Sequence, residues 1–307
     1  MKTGNINESA AHRDTDARLA EMIRHLDGIY SEAHAELAEK WEAYLMRKDK
    51  RLKKLWEAFR DAPNRAEKLA AKAAYERAFR NAVLRDEQFR ILSENLAERY
   101  THINQDAMAY INGNMPEIYA LNYNASGMDI SAHVGGYSFQ IISAGVIRNM
   151  ADADASLLPH KDIDPAVDTP WNIRAINGEV SKGILLGESV PDIAKRLRNV
   201  TDMNRTSAVR NARTMVTAAE NRGRMDEYRA AEEMGIILER EWLAADDYRT
   251  RDLHRELDGQ TRAVGEPFYV QGYEIMYPGD PSAHPKMVYN CRCTLAAHVL
   301  GFEPIAR

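Results

Sequence analysis

The sequence predicts a mainly α-helical protein with a long N-terminal helical hairpin, a helical middle region and a small C-terminal α+β module. Apolar residues recur at three- and four-residue steps along most of the 307 residues, which is the period of an amphipathic helix. From Trp242 onward the composition changes to Asp, His, Gly, Pro and Asn, and this part contains both cysteines. We therefore expect three regions: an extended helical region over 1–135, a helical middle region over 136–235 and an α+β module over 236–307.

The N-terminal region is predicted to form two long helices joined by a short turn. One apolar stripe runs from Leu19 to Phe59, and a second begins near Arg65 and reaches Ile103. The run Asp61–Asn64 contains a proline and an asparagine, which are typical of a break between helices. Two such helices make an αα-hairpin. Trp41 and Trp56 lie on the first stripe, where packing in the core is favoured over stacking on a ligand.

A basic run, residues 47–54 (R-K-D-K-R-L-K-K), lies within the first predicted helix. It admits two interpretations. Lysines and arginines at this density suit contact with DNA phosphates or with an acidic protein surface. A solvated helix face has the same composition, and the run contains no aromatic residue that points to stacking on bases.

The middle region is predicted to be helical on both sides of a loop. Residues 151–170 include three prolines, and we expect a mobile or partner-binding loop there. Gly187 is expected to end the helix that follows, Ser189 to cap a short helix, and Thr201 to begin a longer helix that closes at Gly235.

The last region combines strand, turn and short helix signals. Residues 236–243 are predicted as a strand, and the Asp258-Gly259 pair as the end of a short helix that begins before His254. A hairpin is expected between residues 268–270 and 275–277 around the Gln271-Gly272 pair.

Composition limits the class of protein. The net charge of −5 argues against a globally basic nucleic-acid-binding protein. Two cysteines in this length imply no disulfide framework and suit a reducing compartment. Residues 1–13 are polar, so we expect no secretory signal, and no run approaches the ~20 apolar residues of a membrane span.

The sharpest site hypothesis is a metal centre. In an extended segment Cys291 and Cys293 point to one face and Arg292 to the other. Together with His254 and one of Asp258, His284 or His298, they would supply four ligands of the zinc type. The C-x-C spacing is not that of a standard zinc finger, and two buried thiols beside a sheet also occur as plain core residues in a hydrogen-bonded cluster.

Two further interpretations remain open for this segment. His254 and Asp258 are four positions apart, a spacing that also suits an acid–base pair, although a histidine beside a carboxylate often only fixes a turn. The arginines near Asp247 either pair with carboxylates inside the module or grip DNA phosphate, and the many acidic residues nearby favour internal pairs. Asn290 is expected to cap or bridge backbone groups beside the cysteines.

In this order and with these gaps, the motifs resemble the C-terminal module of phage head morphogenesis proteins, the Mu F-like or SPP1 minor-head-protein-like family. The resemblance is close from Trp242 to Cys293 and weaker back to Trp171. The matched positions are Trp242, Asp247, Arg249, Thr250, Arg251, His254, Asp258, Gly259, Gln260, Pro267, Phe268, Pro278, Gly279, Asp280, Pro281, Asn290, Cys291, Arg292 and Cys293.

The resemblance implies the function of a phage minor head protein, not an enzyme. It implies a structural role for Trp242, Asp247, Arg249, Arg251, Gly259, Gln260, Pro278, Asn290 and Arg292. The expected partners are the portal protein and other head proteins, together with a contact with packaged DNA and oligomerisation in the particle. The expected location is the capsid interior or portal vertex of the virion, after assembly in the host cytoplasm.

An alternative from a different class is a metal-dependent enzyme or effector carried in the phage head. Members of the family are fused to toxin domains, which makes delivery of an effector conceivable. Few residues follow the N-C-R-C motif, and we therefore do not expect a fused effector domain in this chain.

Overall fold

The computed structural model describes residues 9–135, 137–245 and 247–303, and it confirms the mainly α-helical fold class. The helices are α1 Ala10–Arg60, α2 Arg65–Phe79, α3 Glu87–His133, α4 Ala144–Ala153, α5 Pro165–Leu186, α6 Val190–Lys195, α7 Leu197–Glu233, α8 Asp252–Leu257 and α9 Pro285–Val288. The strands are β1 Ile236–Leu243, β2 Thr261–Ala263, β3 Phe268–Val270, β4 Tyr273–Ile275 and β5 Thr294–Phe302. None of the helices in this part of the chain combines the length and hydropathy of a membrane-spanning segment.

The chain folds into two compact units, each assembled from separate segments. Among the described residues, unit 1 comprises those up to Arg24, those of Tyr110–Lys161 and those from Val209 onward. Unit 2 comprises His25–Ala109 and Asp162–Ala208. The three consecutive regions expected from the sequence stay a prediction. Compact units group residues by spatial contact, and such a unit can include segments that lie far apart in the chain.

Unit 2 contains the predicted break after the first helix. The side chain of Asn64 accepts a hydrogen bond from the backbone N–H of Glu67 at 3.0 Å and so caps α2. The second helix of the expected hairpin is divided, which corrects that prediction: α2 passes into a π-helical turn, Arg80–Leu84, before α3 begins. Asp86 causes the restart, because its carboxylate accepts from the N–H of Gln88 at 3.0 Å.

The two tryptophans of unit 2 pack as expected. Trp41 is 1% exposed, and its indole N–H donates to the carbonyl of Ala194 at 2.9 Å. The indole N–H of Trp56 donates to the carbonyl of Gly187 at 3.0 Å. Gly187 ends α5 in the left-handed conformation, as predicted, with the ring of Phe59 against its Cα. α1 is therefore anchored on the segments around α6 by the two indoles.

The middle of the chain is more helical than expected. α4 extends to Ala153 and α5 begins at Pro165, so the irregular stretch is shorter than the predicted loop over 151–170. The side chain of Asp164 accepts a hydrogen bond from the backbone N–H of Ala166 and caps α5. Pro165 begins this helix, where its missing N–H costs nothing because N–H groups of the first turn have no partner within the helix. Ser189 caps α6 as predicted, whereas α7 begins at Leu197 and not at Thr201.

Unit 1 contains the C-terminal sheets. β1 is the central strand of an antiparallel three-stranded sheet of order β2-β1-β5, and its bounds match the predicted strand. β3 and β4 pair separately, with Gln271 and Gly272 at positive φ between them, the geometry of a two-residue hairpin turn. The second strand of this hairpin is Tyr273–Ile275, two residues earlier than expected, because the turn uses only two residues.

The apolar core of unit 1 lies between these sheets and the helices α3 and α7. It contains Ile130, Met225, Tyr228, Ala231, Ile236, Leu238, Trp242, Ala244, Leu257, Val264, Phe268, Val270, Ile275, Tyr277, Met287, Cys291, Cys293 and Leu295. Both cysteines are thus part of a continuous core and not of an exposed loop.

Candidate functional site

Two cysteines and one histidine meet at the start of β5. Nδ1 of His254, in the short helix α8, lies 3.3 Å from Sγ of Cys293 and 3.4 Å from Sγ of Cys291. Their ligand atoms all lie within 4.8 Å of one another, and each of the three residues is 2% exposed. We call this group the Cys–His cluster. Both cysteines are free thiols.

The ring of Trp242 fixes the histidine from the side. The two rings meet edge-on, with centroids 5.7 Å apart, and Trp242 in turn packs edge-on against Phe268 at 5.3 Å. Trp242 is fully buried in β1. The strand thus places an aromatic wall beside the imidazole and holds its orientation.

Helix α7 holds the cysteine segment through polar side chains that bond to its backbone. Thr217 donates to the carbonyl of Cys291 at 2.7 Å, and Asn221 donates to the carbonyl of Cys293 at 3.2 Å. The same helix face continues with Thr214, which accepts from the N–H of Asn290 at 3.0 Å, and with Arg224, which donates to a carbonyl of β5. The bonds from Thr217, Asn221 and Arg224 satisfy buried carbonyls, and those from Thr217 and Asn221 fix the backbone that carries both thiols.

Sequence reasoning missed this polar face of α7. Its members recur at helical spacing, so they lie on one side of the helix. On sequence alone a polar stripe is typical of a solvated surface, and only the burial of Thr217 and Asn221 shows that this one faces the core. The sequence therefore gives no local signal that distinguishes this face from a solvated one.

The environment of the thiols separates their acidities. Burial alone raises the pKa of Cys291, but hydrogen bonds from Cys293 and His254 outweigh it and the net shift is downward. The backbone N–H of Cys293 also points at the Cys291 sulfur, 3.4 Å away. Burial raises the pKa of Cys293, and the neighbouring Cys291 raises it further. Cys291 is therefore the more acidic of the two thiols.

A cavity of about 120 Å³ adjoins the Cys–His cluster. Besides the cluster it is lined by Thr250, Asn290 and the three arginines Arg249, Arg251 and Arg292. This volume is enough for a few water molecules or a small anion. The cluster thus has one side open to a small polar space.

The arginines beside the cavity form internal contacts, as the sequence favoured. Arg292 makes a two-pronged pair with Asp247, with distances of 2.6 and 2.7 Å. Arg249 approaches the same carboxylate at 3.5 Å, and Arg251 donates to the carbonyl of Tyr289. Hydrogen bonds from Arg292 hold the pKa of Asp247 well below its usual range. The loop after β1 is tied in this way to the cysteine segment.

The Asp258-Gly259-Gln260 run joins the end of α8 to β1. The N–H of Gly259, which has φ 78°, donates to the carbonyl of Trp242 at 2.8 Å, and the N–H of Trp242 donates to the carbonyl of Gln260 at 2.9 Å. The carboxylate of Asp258 accepts from the N–H of Ala244 at 2.8 Å. This run therefore sets the position of α8 relative to the central strand.

Three residues that the sequence offered as a fourth ligand lie outside the Cys–His cluster. Asp258 is engaged with the backbone of Ala244 and is not part of the group. His284 accepts from the N–H of Lys286, and Nε2 of His298 lies 2.6 Å from Glu241. His254 and Asp258 do not form the acid–base pair, because Nδ1 of His254 faces the two sulfurs and its buried Nε2 has no hydrogen-bond partner among the described residues.

The P-G-D-P motif and Asn290 shape the chain on either side of α9. Pro278 is buried, and Gly279 has φ 84° with its Cα pressed against the α7 backbone at Ala218. Asp280 accepts from the N–H groups of Met276 and Ser282. Asn290 adopts φ 57°, a left-handed conformation that asparagine tolerates, and it turns the chain into the cysteine segment.

Comparisons with known proteins connect this region to one family. Residues 174–296 match the family described as Phage Mu protein F like protein. The chain is 24% identical over 295 residues to the minor head protein GP7 of Bacillus phage SPP1, an alignment that covers 94% of this chain and 89% of that protein.

Two other relatives match over shorter stretches. The NAD(+)--arginine ADP-ribosyltransferase EFV of Enterococcus faecalis (strain ATCC 700802 / V583) is 32% identical over 132 residues, which are 43% of this chain and 27% of that protein. The uncharacterized protein YqbB of Bacillus subtilis (strain 168) is 27% identical over 139 residues, 43% of this chain and 45% of that protein. The chain thus spans less than half the length of these two relatives. No solved structure matches the chain.

The matched range begins in α5 and ends in β5, and it includes the polar face of α7 and the whole Cys–His cluster. The resemblance carried by the C-terminal motifs is therefore confirmed: residues 174–296 are similar to the family described as Phage Mu protein F like protein.

Proposed function

We propose that the chain is a phage minor head protein, a structural component of the virion that associates with the portal and acts in procapsid assembly. The observation that carries this proposal is the length of the alignment with GP7. That alignment covers 94% of this chain, so the similarity includes the helical segments before the Mu F-like region. A shared C-terminal module alone would support a much weaker inference.

The structure supports a role in protein assembly over one in catalysis. The polar contacts described for the C-terminal module, such as those of Arg292 with Asp247 and of Thr217 with the carbonyl of Cys291, connect parts of the fold to one another. The long helices leave charged faces exposed to solvent, which suits contact with other head proteins and with further copies of the chain. On this proposal the protein resides in the capsid interior or at the portal vertex.

The test is co-assembly with the head proteins of the same phage. We would express the tagged full-length chain with the portal, scaffolding and major capsid proteins and isolate procapsids on a gradient. The amounts of the chain and of the portal protein in the procapsid fraction are then measured. Co-migration with procapsids and capture of the portal protein by the chain alone support the proposal. Absence from procapsids together with no capture of portal protein overturns it.

To locate the surface that contacts the portal protein, full-length variants are preferable to a chain truncated at Gly235, just after α7. Such a truncation removes β1 and β5, and with them much of the apolar core of unit 1. A lost contact would then report a lost fold. Charge reversals of exposed residues, each checked by circular dichroism, separate binding surfaces from stability.

A contact with packaged DNA is the finer part of the proposal that depends on the basic run in α1. Lys50 and Lys53 are exposed there. We expect Lys50→Glu/Lys53→Glu to lower the salt dependence of DNA binding by about one unit of log–log slope per lost phosphate contact. The matched control is Lys182→Glu/Lys195→Glu, two exposed lysines on other helices of unit 2. Equal salt slopes for the two double variants would show that the basic run in α1 makes no special contact with DNA.

The effector alternative rests on the partial similarity to the ADP-ribosyltransferase of Enterococcus faecalis. The alignment covers 27% of that protein, so its named activity is not carried to this chain by the comparison alone. An assay of NAD⁺ consumption by the purified full-length chain, with arginine-containing peptides present, decides the point. Turnover above a heat-inactivated control would favour the effector.

A further inference from the structure

We propose that His254, Cys291 and Cys293 form a zinc site with three protein ligands, and that water from the adjoining cavity takes the fourth position. Thiolate and imidazole ligands together select zinc over the harder cations magnesium and calcium. The three residues come from two elements, α8 and the segment before β5, so a bound ion would connect them.

The distances suit one tetrahedral ion. With zinc–sulfur bonds of about 2.3 Å and zinc–nitrogen bonds of about 2.0–2.1 Å, a sulfur and a nitrogen ligand lie roughly 3.5 Å apart. The separations from Nδ1 of His254 to the two sulfurs are 3.3 and 3.4 Å. Both separations lie within about 0.2 Å of that value.

The charges balance without a carboxylate. Two thiolates neutralise a divalent ion, and a neutral imidazole adds no charge. This matters because the nearest charged side chains around the cavity are arginines, which would repel a site of net positive charge. A neutral site tolerates them, and they favour a hydroxide or another small anion in the fourth position.

Hydrogen bonds to the backbone hold the two cysteines in position. Thr217 and Asn221 bond to the carbonyls of Cys291 and Cys293, which leaves both sulfurs free to face the histidine. The N–H of Cys293 points at the sulfur of Cys291, a contact that stabilises a thiolate. Supporting contacts of this kind orient ligands before an ion binds.

The fourth position is open on the cavity side. Across residues 9–135, 137–245 and 247–303, the group within 4.8 Å contains only these three residues of the types His, Cys, Asp and Glu. The adjoining cavity of about 120 Å³ has room for water next to the sulfurs. Three protein ligands and a solvent molecule are a known arrangement for zinc.

The competing explanation is a metal-free cluster in which a thiol and the imidazole share a hydrogen bond. Metal analysis of the full-length chain separates the two. We expect about one zinc per chain by elemental mass spectrometry after purification without chelator. After replacement by Co²⁺, we expect the thiolate-to-cobalt absorption in the near ultraviolet and the intense visible bands of a tetrahedral site.

The variants His254→Gln, Cys291→Ser and Cys293→Ser should each lose bound zinc, whereas His298→Gln, a histidine of β5 outside the cluster, should keep it. Circular dichroism checks that the variants fold. If they do not fold, the wild-type cobalt spectrum still decides. Zinc at background level and a cobalt spectrum without thiolate bands overturn the proposal.

Discussion

Nδ1 of His12 in α1 lies 2.7 Å from Oε1 of Glu220 in α7, although 208 positions separate the two residues in the chain. The same carboxylate accepts from the hydroxyl of Thr294 at 2.6 Å and lies 3.5 Å from the guanidinium of Arg224. Both members of the pair are buried, with side-chain exposures of 8% and 2%. The carboxylate of Glu220 in α7 thus connects α1 and β5 within unit 1.

This pair predicts a pH window for stability. Burial alone lowers the pKa of His12, but the charge and hydrogen bond of Glu220 raise it above its ordinary value. Burial alone raises the pKa of Glu220, but His12, Arg224 and Thr294 together lower it. The contribution of His12 is complete below about pH 6.5 and is lost as the pH rises through its raised pKa. That of Glu220 is complete above about pH 4.5 and is lost as the pH falls through its lowered pKa.

Glu220→Gln should therefore cost most between about pH 4.5 and 6.5, on the order of 3 kcal/mol in the free energy of unfolding. Urea unfolding at several pH values measures the difference between variant and wild type. His102→Gln, an exposed histidine in α3, is the control and should leave the profile unchanged. A difference that does not vary with pH would contradict the assigned pair.

Arg240 is a fully buried guanidinium whose partners are backbone carbonyls. It donates to the carbonyls of Ala263, Glu266 and Met276, and it lies 4.9 Å above the ring of Phe268. Burial lowers the pKa of Arg240 to about 10, so it stays charged at neutral pH.

Arg240→Lys should destabilise unit 1 by about 2–3 kcal/mol, because the guanidinium reaches the three carbonyls from three separate nitrogens, whereas the donors of an ammonium all sit on one nitrogen. Thermal and urea unfolding measure the loss. Arg262→Lys is the matched control, since Arg262 is the half-buried cross-strand neighbour of Arg240 on β2. Equal losses of unfolding free energy in the two variants would count against a stabilising role of the three carbonyl contacts of Arg240.

Gly279 is expected to resist any side chain. Its φ is 84°, and an added Cβ would lie 2.7 Å from the backbone nitrogen of Ala218 in α7. Gly279→Ala should lower the free energy of unfolding by more than about 1 kcal/mol, since both strain and a backbone clash oppose it. Gly265→Ala, where an added Cβ has open space, should be nearly neutral. Chemical unfolding of the two variants in parallel tests the assignment.

A buried amide chain stabilises unit 2. Asn204 accepts from Asn104 at 2.7 Å and donates to Asn172 at 2.9 Å, and Asp168 accepts from both Asn104 and Asn172 at 2.9 Å. Asn204→Ala leaves a donor and an acceptor without this partner and should cost about 2 kcal/mol. Asn81→Ala, at an exposed position, should change the unfolding midpoint little. A neutral Asn204→Ala would show that the chain is not needed for stability.

The hydroxyl of Thr217 holds the backbone at Cys291. Thr217→Val keeps the shape but removes the donor to a buried carbonyl, at a cost of about 1–2 kcal/mol. Because the thiol position depends on this bond, the variant should also bind Co²⁺ more weakly than wild type. Thr206→Val, on an exposed position of the same helix, is the control for both measurements. Unchanged stability in Thr217→Val would refute the anchoring role.

Much of the fold was accessible from the sequence because local signals fix it. The strand 236–243, the cap at Ser189 and the glycine stop at Gly187 follow from residue types and short spacings. The divided second helix was not accessible. Its apolar period continues across residues 80–86, and the break depends on Asp86, which Lys48 contacts from another helix.

The candidate site, too, was predictable from the sequence only in part. The C-x-C spacing places both thiols on one face, and the structure brings His254 to that face. The sequence offered Asp258, His284 and His298 as a fourth ligand, and spacing could not show that all three lie outside the cluster. Asp258, for example, bonds to the backbone of Ala244. His12 was missed altogether, since nothing near it in sequence marks it as the partner of Glu220.

Unit 1 is assembled from three separate chain segments, and the ribosome releases these segments at different times. The residues up to Arg24 leave the ribosome long before Val209 is translated, a delay of roughly ten to forty seconds at about 5–20 residues per second. During that interval His12 has no carboxylate to meet, and the apolar side of the first helical turns has no core to enter. Unit 1 therefore completes its folding only after synthesis is nearly finished, whereas the first segment of unit 2 can begin earlier. We expect nascent chains of this protein to be clients of ribosome-associated chaperones until the last strand emerges.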